Sequence, residues 1–394
     1  MPGIPERMQS QLDRAIDADR DAMRRLLAAL VSTPTENPPA TGYKACVRLI
    51  ESALEALDIE HERVDIPSPP EAPRAAVFAW IGPPGPTLYF HGHYDVVPAQ
   101  SPDQFTPRVE GDTLFGRGSS DMKSGLVAML YAAKALRSSG AALDGRLGLV
   151  FVPDEETGGT YGSAALAASA LLGRDAIGML LPEPTSGVVW NANRGAITLE
   201  VTVKGRAAHV GLQHHGVNAF ERAVAIVNRL LALKRDVDAA DSILLVGGQV
   251  DAGSSFNVVP ERCRFTIDRR TNPAEDFEIE RRRLFEILDA ARAEGIDLEV
   301  RTIQEGRATA SPESSPLGRA LAASINDATG KPAVFEMCPG LLETRFYADR
   351  GVPAFAYGPG VLAVSHGPQE FVRISRMIEC AKVYASTAVR MLTS

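Results

Sequence analysis

The 394-residue chain contains no run of about 18 apolar residues, so nothing in it reads as a membrane-spanning helix. It has no stretch rich in lysine and arginine, and 49 acidic against 41 basic residues leave a formal net charge of −8. Nucleic-acid binding needs clustered positive charge, so that class of function is set aside. Cysteine is scarce: Cys46, Cys263, Cys338 and Cys380 are scattered and form no CxxC pair, which argues against a cysteine-held structural zinc. Free thiols suit a reducing cytoplasm. The first 24 residues are dense in Arg, Asp and Gln and lack the apolar segment of a secretory signal, so a cytoplasmic location is expected. Internal repeats and low-complexity segments are missing too. What remains is ordinary globular composition, 45% hydrophobic and 23% charged. The chain is longer than one core usually serves, and two domains are expected.

Apolar spacing predicts helices over residues 13–31 and 44–57. Residues 87–91 read as a strand after the turn-rich Gly82-Pro-Pro-Gly-Pro86. A helix over 126–136, a strand over 146–152, a helix over 163–172 and a strand over 177–181 follow. Strands alternating with helices predict an α/β fold with a mostly parallel sheet flanked by helices. The texture changes near Arg194. Residues 196–204 alternate as a strand, 218–233 form a helix, 242–250 and 262–268 two more strands, and 278–294 a helix. This order predicts a smaller α+β domain with an antiparallel sheet. The α/β texture resumes near residue 309, with a helix over 316–329, a strand over 354–357 and a long C-terminal helix. The expected organisation is a discontinuous large domain, residues 1–193 and 309–394, with residues 194–308 inserted. Residues 196–204 and 242–250 are expected to be edges of the small sheet, which favours pairing about a two-fold axis.

The chemistry-bearing residues sit where strands end, the position at which open α/β sheets place ligands. In His91-Gly-His-Tyr-Asp95, His93 and Asp95 point the same way, and a carboxylate beside a ligating histidine can hold its tautomer. Gly116-Arg-Gly-Ser-Ser-Asp-Met-Lys-Ser-Gly125 superficially suggests a phosphate loop, but Met122 rather than glycine precedes Lys123, and a nucleotide site is rejected. Taken alone, Asp121 reads better as a cap of the helix that begins near Met122. Asp154-Glu-Glu-Thr-Gly-Gly159 places Glu155 and Glu156 at a strand end, where a solvated acidic turn is the alternative. Glu183 lies in Pro182-Glu-Pro184 and His366 in Ser365-His-Gly-Pro-Gln-Glu370. Singly, each is ambiguous. Together His93, Asp121, Glu156, Glu183 and His366 supply two imidazoles and three carboxylates. One bridging carboxylate, with a histidine and a further carboxylate on each metal, makes a two-zinc site. Such metals lie about 3.5–4 Å apart, share a water and polarise a carbonyl. Glu155 remains free to take the water's proton.

These segments, with Glu183-Pro-Thr185, Arg194-Gly195, Gly205-Arg-Ala-Ala-His209, Gly216-Val-Asn-Ala219, Asn257-Val-Val-Pro260 and Asp268-Arg-Arg270, resemble the M20 metallopeptidases over nearly the whole chain. That family includes acetylornithine deacetylase, succinyl-diaminopimelate desuccinylase, aminoacylase and bacterial-type glutamate carboxypeptidase. The resemblance implies a catalytic di-zinc domain and an inserted lid or dimerisation domain. It makes Asp121 the metal bridge, with His93 and Glu183 on one zinc and Glu156 and His366 on the other. Cobalt or manganese would be able to substitute. Asp95 would support His93 and Glu155 would be the general base. His209 would stabilise the oxyanion, acting on the neighbouring subunit of a homodimer. Arg194, Asn257, Arg270 and Arg345 match positions that hold substrate carboxylates; ion pairing is the alternative for them. A cis peptide is implied after Asp121.

The implied reaction is hydrolysis of the amide bond of an N-acyl amino acid, of the deacetylase or desuccinylase type. A metallo-carboxypeptidase or dipeptidase acting on small peptides is the alternative, since it uses the same site on a peptide bond. A binding module without activity would be expected to lack a ligand or the base, and all are present. There are departures: Glu343 stands where relatives often have Asp, Lys123-Ser124 where Lys-Gly is common, and His214 and His215 match no motif. None touches the expected metal ligands.

Overall fold

The computed structural model describes residues 4–239 and 241–393. The chain divides into two compact units. Met1–Asn191, Ala310–Met337 and Glu343–Ser394 form the first, and Ala192–Thr309 with Cys338–Leu342 the second. No change of sequence texture marks the short Cys338–Leu342 segment.

In the first unit the strands Arg146–Val152, Thr87–His93, Ala176–Leu181 and Ala354–Ala356 run parallel, in that order across the sheet. Every residue of Thr87–His93 is buried, and the neighbouring runs are almost wholly apolar, as parallel strands covered on both faces must be. Arg74–Ile81 and then Glu60–Ile66 extend the sheet on one side, and Val189–Asn193 on the other, all antiparallel to their neighbours. The helix Ser124–Ser138 is buried on nearly every side and packs against Ile374–Leu392. Its Ala-, Leu- and Met-rich sequence suits an interior helix. The helical pattern over 13–31 is two helices, Glu6–Ala18 and Arg20–Val31. They break at Asp19, whose carboxylate takes both bonds from Lys134 Nζ, at 2.7 and 2.6 Å. The expected helix over 163–172 ends early, at Ala168. No helix among the described residues is long and apolar enough to cross a membrane.

The second unit is a four-stranded antiparallel sheet in the order Ile243–Ala252, Arg262–Arg270, Ala196–Lys204, Leu298–Gly306. The expectation that residues 196–204 form an edge is therefore corrected. Leu298–Gly306, a strand too polar on both faces to stand out in the sequence, pairs with it and takes the outer position. Ile197, Leu199, Val201 and Val203 alternate inward and pack with Leu230 of Ala219–Ala239 and with Leu284 and Leu288 of Phe277–Ala293. The opposite side of Ala219–Ala239 leaves Phe220, Val224 and Leu231 exposed, and the edge strand leaves Ile243, Leu245 and Val250 exposed.

Candidate metal centre

His93 ends its strand fully buried. Its Nδ1 lies 3.0 Å from the Asp95 carbonyl and 3.5 Å from the Asp95 carboxylate. Donation from Nδ1 to that carbonyl leaves the Nε2 lone pair facing away from the sheet. There it meets Asp121 Oδ1 at 3.2 Å and Glu183 Oε1 at 3.7 Å. The other oxygen of Asp121 lies 3.3 Å from His366 Nε2, which is 3.2 Å from Glu156 Oε2. Asp121 thus turns one oxygen to each imidazole, and it caps no helix: Ser124–Ser138 begins without a side-chain cap. The peptide bond Asp121–Met122 is cis.

Close backbone packing brings these loops together. A Cβ at Gly125 would fall 2.4 Å from the Pro182 carbonyl oxygen, and one at Gly358 would fall 2.3 Å from the carbonyl oxygens of both Pro182 and Glu183. Only glycine permits that approach, so the turn carrying Glu183 is wedged against the start of the helix that follows Asp121. The Lys123 ammonium is buried and donates to the carbonyls of Leu30 and Thr33, each at 2.9 Å. That fastens the Asp121 loop to the end of Arg20–Val31, where the helix dipole favours a cation.

His93, Asp121 and Glu183 form one set whose ligand atoms all lie within 4.8 Å, and Asp121, Glu156 and His366 a second. Ligands about 2.0–2.2 Å from a tetrahedral ion sit about 3.3–3.6 Å apart, close to the spacings found. Glu183 Oε1 is buried without a hydrogen-bond partner, a state that a cation would relieve. The residues therefore fit two metal ions with nitrogen and oxygen ligands.

The electrostatics say the same. Burial alone would lower His93, but hydrogen bonding to Asp121 and Asp95 holds it well above an ordinary imidazole. Hydrogen bonds to Asp121 and Glu156 push His366 up to about 11. Burial would raise Asp121, yet bonding to both imidazoles holds it below the usual carboxylate range. Burial, with Asp121 beside it, pushes Glu183 well up. An imidazole or carboxylate binds a cation only in its deprotonated form, so protons and metal ions compete for these atoms.

Glu155 belongs to neither set. Its Oε2 lies 4.0 Å from His93 Nε2. Burial pushes its carboxyl well above the usual range; His93 opposes the rise, and Glu156, Glu343 and Asp121 add to it. The backbone N–H groups of Glu155 and Glu156 donate to the two oxygens of Asp95, each at 3.1 Å. The Asp95 side chain thus orients the two glutamates more closely than it orients His93.

Several residues were not singled out by sequence reasoning. Asn37 Nδ2 lies 2.9 Å from Asp95 Oδ2, 2.9 Å from Thr157 Oγ1 and 3.2 Å from Asp154 Oδ1. Two consecutive prolines in cis follow it, and Asn-Pro-Pro was the only local signal. His91 Nε2 lies 2.9 Å from Ser163 Oγ and 2.9 Å from Glu343 Oε2, all buried. Arg117 and Glu370 form a buried ion pair at 2.6 Å.

Of the four residues expected to hold a substrate carboxylate, Arg345 shares the metal ligands' unit. It is buried and donates to the Gly158 carbonyl at 3.1 Å. In the second unit Arg270 pairs with Asp268, Nε to Oδ1 at 2.9 Å. Arg194 donates to the Asp241 carbonyl at 2.9 Å. His209 is exposed beside Asn257: Val210 N–H donates to the Asn257 carbonyl at 2.9 Å, and His209 bridges Val258. His209 Nδ1 accepts the Gly211 N–H at 3.1 Å, so the neutral ring carries its proton on Nε2.

Two adjacent sets of candidate metal ligands thus share Asp121, and Glu155 lies outside both. The family model of peptidase family M20/M25/M40 matches residues 89–390. The chain belongs to that family and is a metal-dependent hydrolase of linear amides. It is 26% identical to a probable succinyl-diaminopimelate desuccinylase of Staphylococcus epidermidis, over 91% of this chain and 95% of that one. Its fold is similar to the dipeptidase Dug1p of Saccharomyces cerevisiae, with TM-score 0.79, 17% identity, and 97% and 98% of the two chains covered. It is also similar to the M20 metallo-carboxypeptidase Sso-CP2 of Sulfolobus solfataricus, with TM-score 0.78, 17% identity, and 93% and 98% covered.

Proposed function

We propose that this protein hydrolyses the amide bond of an N-acyl amino acid, using two zinc ions and Glu155 as general base. The observation that carries the reading is the pair of imidazoles facing opposite oxygens of Asp121, with Glu155 4.0 Å from His93 and part of neither set. Bound zinc would supply Lewis-acid polarisation of the scissile carbonyl and a more acidic water. His93, Asp121 and Glu183 would hold one ion, and Asp121, Glu156 and His366 the other. Glu155 takes a proton from the attacking water and passes it to the leaving nitrogen, so that amide and water become carboxylate and amine. Asp95 fixes the backbone from which Glu155 projects.

His209, its Nε2 proton available, donates to the oxyanion in the site of a second copy. Arg345, Arg194, Asn257 and Arg270 bind the substrate's carboxylates. The homodimer is supported by the exposed apolar residues Phe220, Val224 and Leu231, at helical spacing on Ala219–Ala239, and by Ile243, Leu245 and Val250 on the unpaired edge of Ile243–Ala252. All four cysteines are free and buried, which agrees with a cytoplasmic enzyme.

The desuccinylase relative favours acyl amino acids, and the dipeptidase and carboxypeptidase folds support the second reading, cleavage of small peptides. An activity screen of zinc-loaded protein on N-acetylornithine, N-succinyl-diaminopimelate, other N-acyl amino acids, acyl-glutamates and dipeptides separates them. Release of amine from an acyl amino acid is the expected result. Turnover of dipeptides alone would replace the first reading by the second.

A further inference from the structure

Arg117 and Glu370 are each 1% exposed, and neither offers an atom to either ligand set. Burying two charges carries a heavy desolvation penalty that attraction between them repays only with good geometry and further hydrogen bonds. Here most of the further bonds run to the loops that carry Asp121 and His366, and Arg117 Nη2 also donates to the Pro98 carbonyl at 3.5 Å. Glu370 Oε1 accepts the N–H groups of Ser120 and Asp121, at 3.0 and 3.1 Å. Its Oε2 accepts Arg117 Nη1 at 2.6 Å, while Arg117 Nη2 donates to the His366 carbonyl at 3.2 Å. One guanidinium fork and one carboxylate therefore tie the backbone of Asp121 to the backbone of His366, across 245 residues of chain (366 − 121).

The two ligand sets need this support unequally. His93 sits at the end of a buried strand paired on both sides. The His366 side chain is 51% exposed and its backbone is left-handed, with φ of 65°. It lies in a loop, outside any strand, and its carbonyl is held by Arg117. We infer that Arg117 and Glu370 are positioning residues for the Asp121–Glu156–His366 metal site. They set how much weaker that site is than the His93–Asp121–Glu183 site. This inference rests on the two-metal reading above.

The test is titration of metal-free full-length protein with Zn²⁺ by calorimetry and with Co²⁺ by visible absorption, in wild type, Arg117→Lys and Glu370→Gln. Lysine keeps the charge beside Glu370, and so keeps Glu370 on the Ser120 and Asp121 amides. Its single nitrogen replaces the two, Nη1 and Nη2, that reach Glu370 and His366 separately, so an ammonium seated at Glu370 no longer occupies the Nη2 position that meets the His366 carbonyl. In Arg117→Lys the first equivalent should bind within about twofold of wild type, and the second should weaken about 10–100-fold, the range for lost outer-sphere partners. The cobalt bands of the second equivalent should change and those of the first persist. Glu370→Gln, an isostere that keeps an acceptor for the Ser120 and Asp121 amides and loses the charge that holds Arg117, should weaken the second equivalent in the same sense, and it carries the test if Arg117→Lys does not fold. Unchanged binding of both equivalents, or equal weakening of both with a lowered melting point of the metal-free protein, would overturn the inference and leave the two-metal reading standing. A wild-type protein that takes one equivalent would overturn both.

Discussion

Replacing Glu155 with glutamine separates the base from the ligands. The two side chains are isosteric, so packing is conserved, and the backbone bond from Glu155 N–H to Asp95 is untouched. Glu155 lies outside both ligand sets, its nearest approach to His93 being 4.0 Å, whereas Glu156 Oε2 stands 3.2 Å from His366 Nε2. Two metals per chain should therefore remain in Glu155→Gln. What is lost is proton transfer from water to the leaving nitrogen, about 10²–10⁴ in kcat, or about 3–5 kcal/mol at 1.36 kcal/mol for each factor of ten. Glu156→Gln should instead lose metal on the His366 side, because an anionic oxygen becomes a neutral one. It would keep most of its activity under saturating zinc only if the site refills. The assay is steady-state kinetics on the substrate found by the screen, paired with metal analysis of the same dialysed samples. Glu155→Gln that loses metal while Glu156→Gln keeps it would reverse the assignment of the two neighbours. Glu155→Gln with both metals and more than a tenth of wild-type kcat would end the general-base role.

Two further outcomes are expected. His366 is pushed up to about 11 and His93 well above its ordinary value, so both are protonated near neutral pH in the metal-free protein. Each must become neutral to bind, and Glu183, also pushed well up, must give up any proton it holds, so uptake should release at least one proton per metal, and apparent affinity should rise as pH rises. Calorimetry in buffers of different ionisation enthalpy counts the protons, and a count of zero would contradict the ligand assignment. The second outcome concerns subunits: His209→Ala and Glu155→Ala homodimers should each be nearly inactive. Co-expression giving half mixed dimers, each with one intact site of two, should restore roughly a quarter of wild-type activity. No recovery with mixed dimers demonstrated would mean that His209 does not act across subunits.

Much of the fold is legible because burial imposes a period. The strand Arg146–Val152, the strand Ala196–Lys204 and the helix Pro316–Thr329 coincide with their apolar patterns to the residue. The helix also announces itself through Ser315, whose side chain accepts the Gly318 N–H at 3.1 Å, and through Pro316 at its first position. Glu60–Ile66 and Leu298–Gly306 are hidden for the opposite reason. As outer strands they leave most side chains at least partly exposed, and their apolar alternation is only two residues long, Val64 and Ile66 in one and Leu298 and Val300 in the other. Missing Leu298–Gly306 was enough to misplace an edge of the small sheet. Arg74–Ile81 is buried but rich in alanine, which marks a strand no better than a helix.

The candidate metal ligands were legible one motif at a time, because each lies at the end of an element beside its own glycine or proline turn. Their chemistry as a group could be inferred from their types: imidazole and carboxylate in the ratio that two cations require. Which oxygen faces which imidazole could not be. That depends on Pro182 lying against Gly125 and on His366 arriving from the far end of the chain. The bonds that hold the ligands in place are still less local. Asn37 reaches Asp95 across 58 residues, and Arg117 reaches Glu370 across 253. No spacing rule links such positions, since a buried polar group needs only some partner, and the folded backbone alone decides which one lies within 3 Å. Residue type and period thus determined the elements and the donor atoms of this protein, while the geometry that gathers those donors into two adjacent sets around Asp121 was decided by tertiary packing.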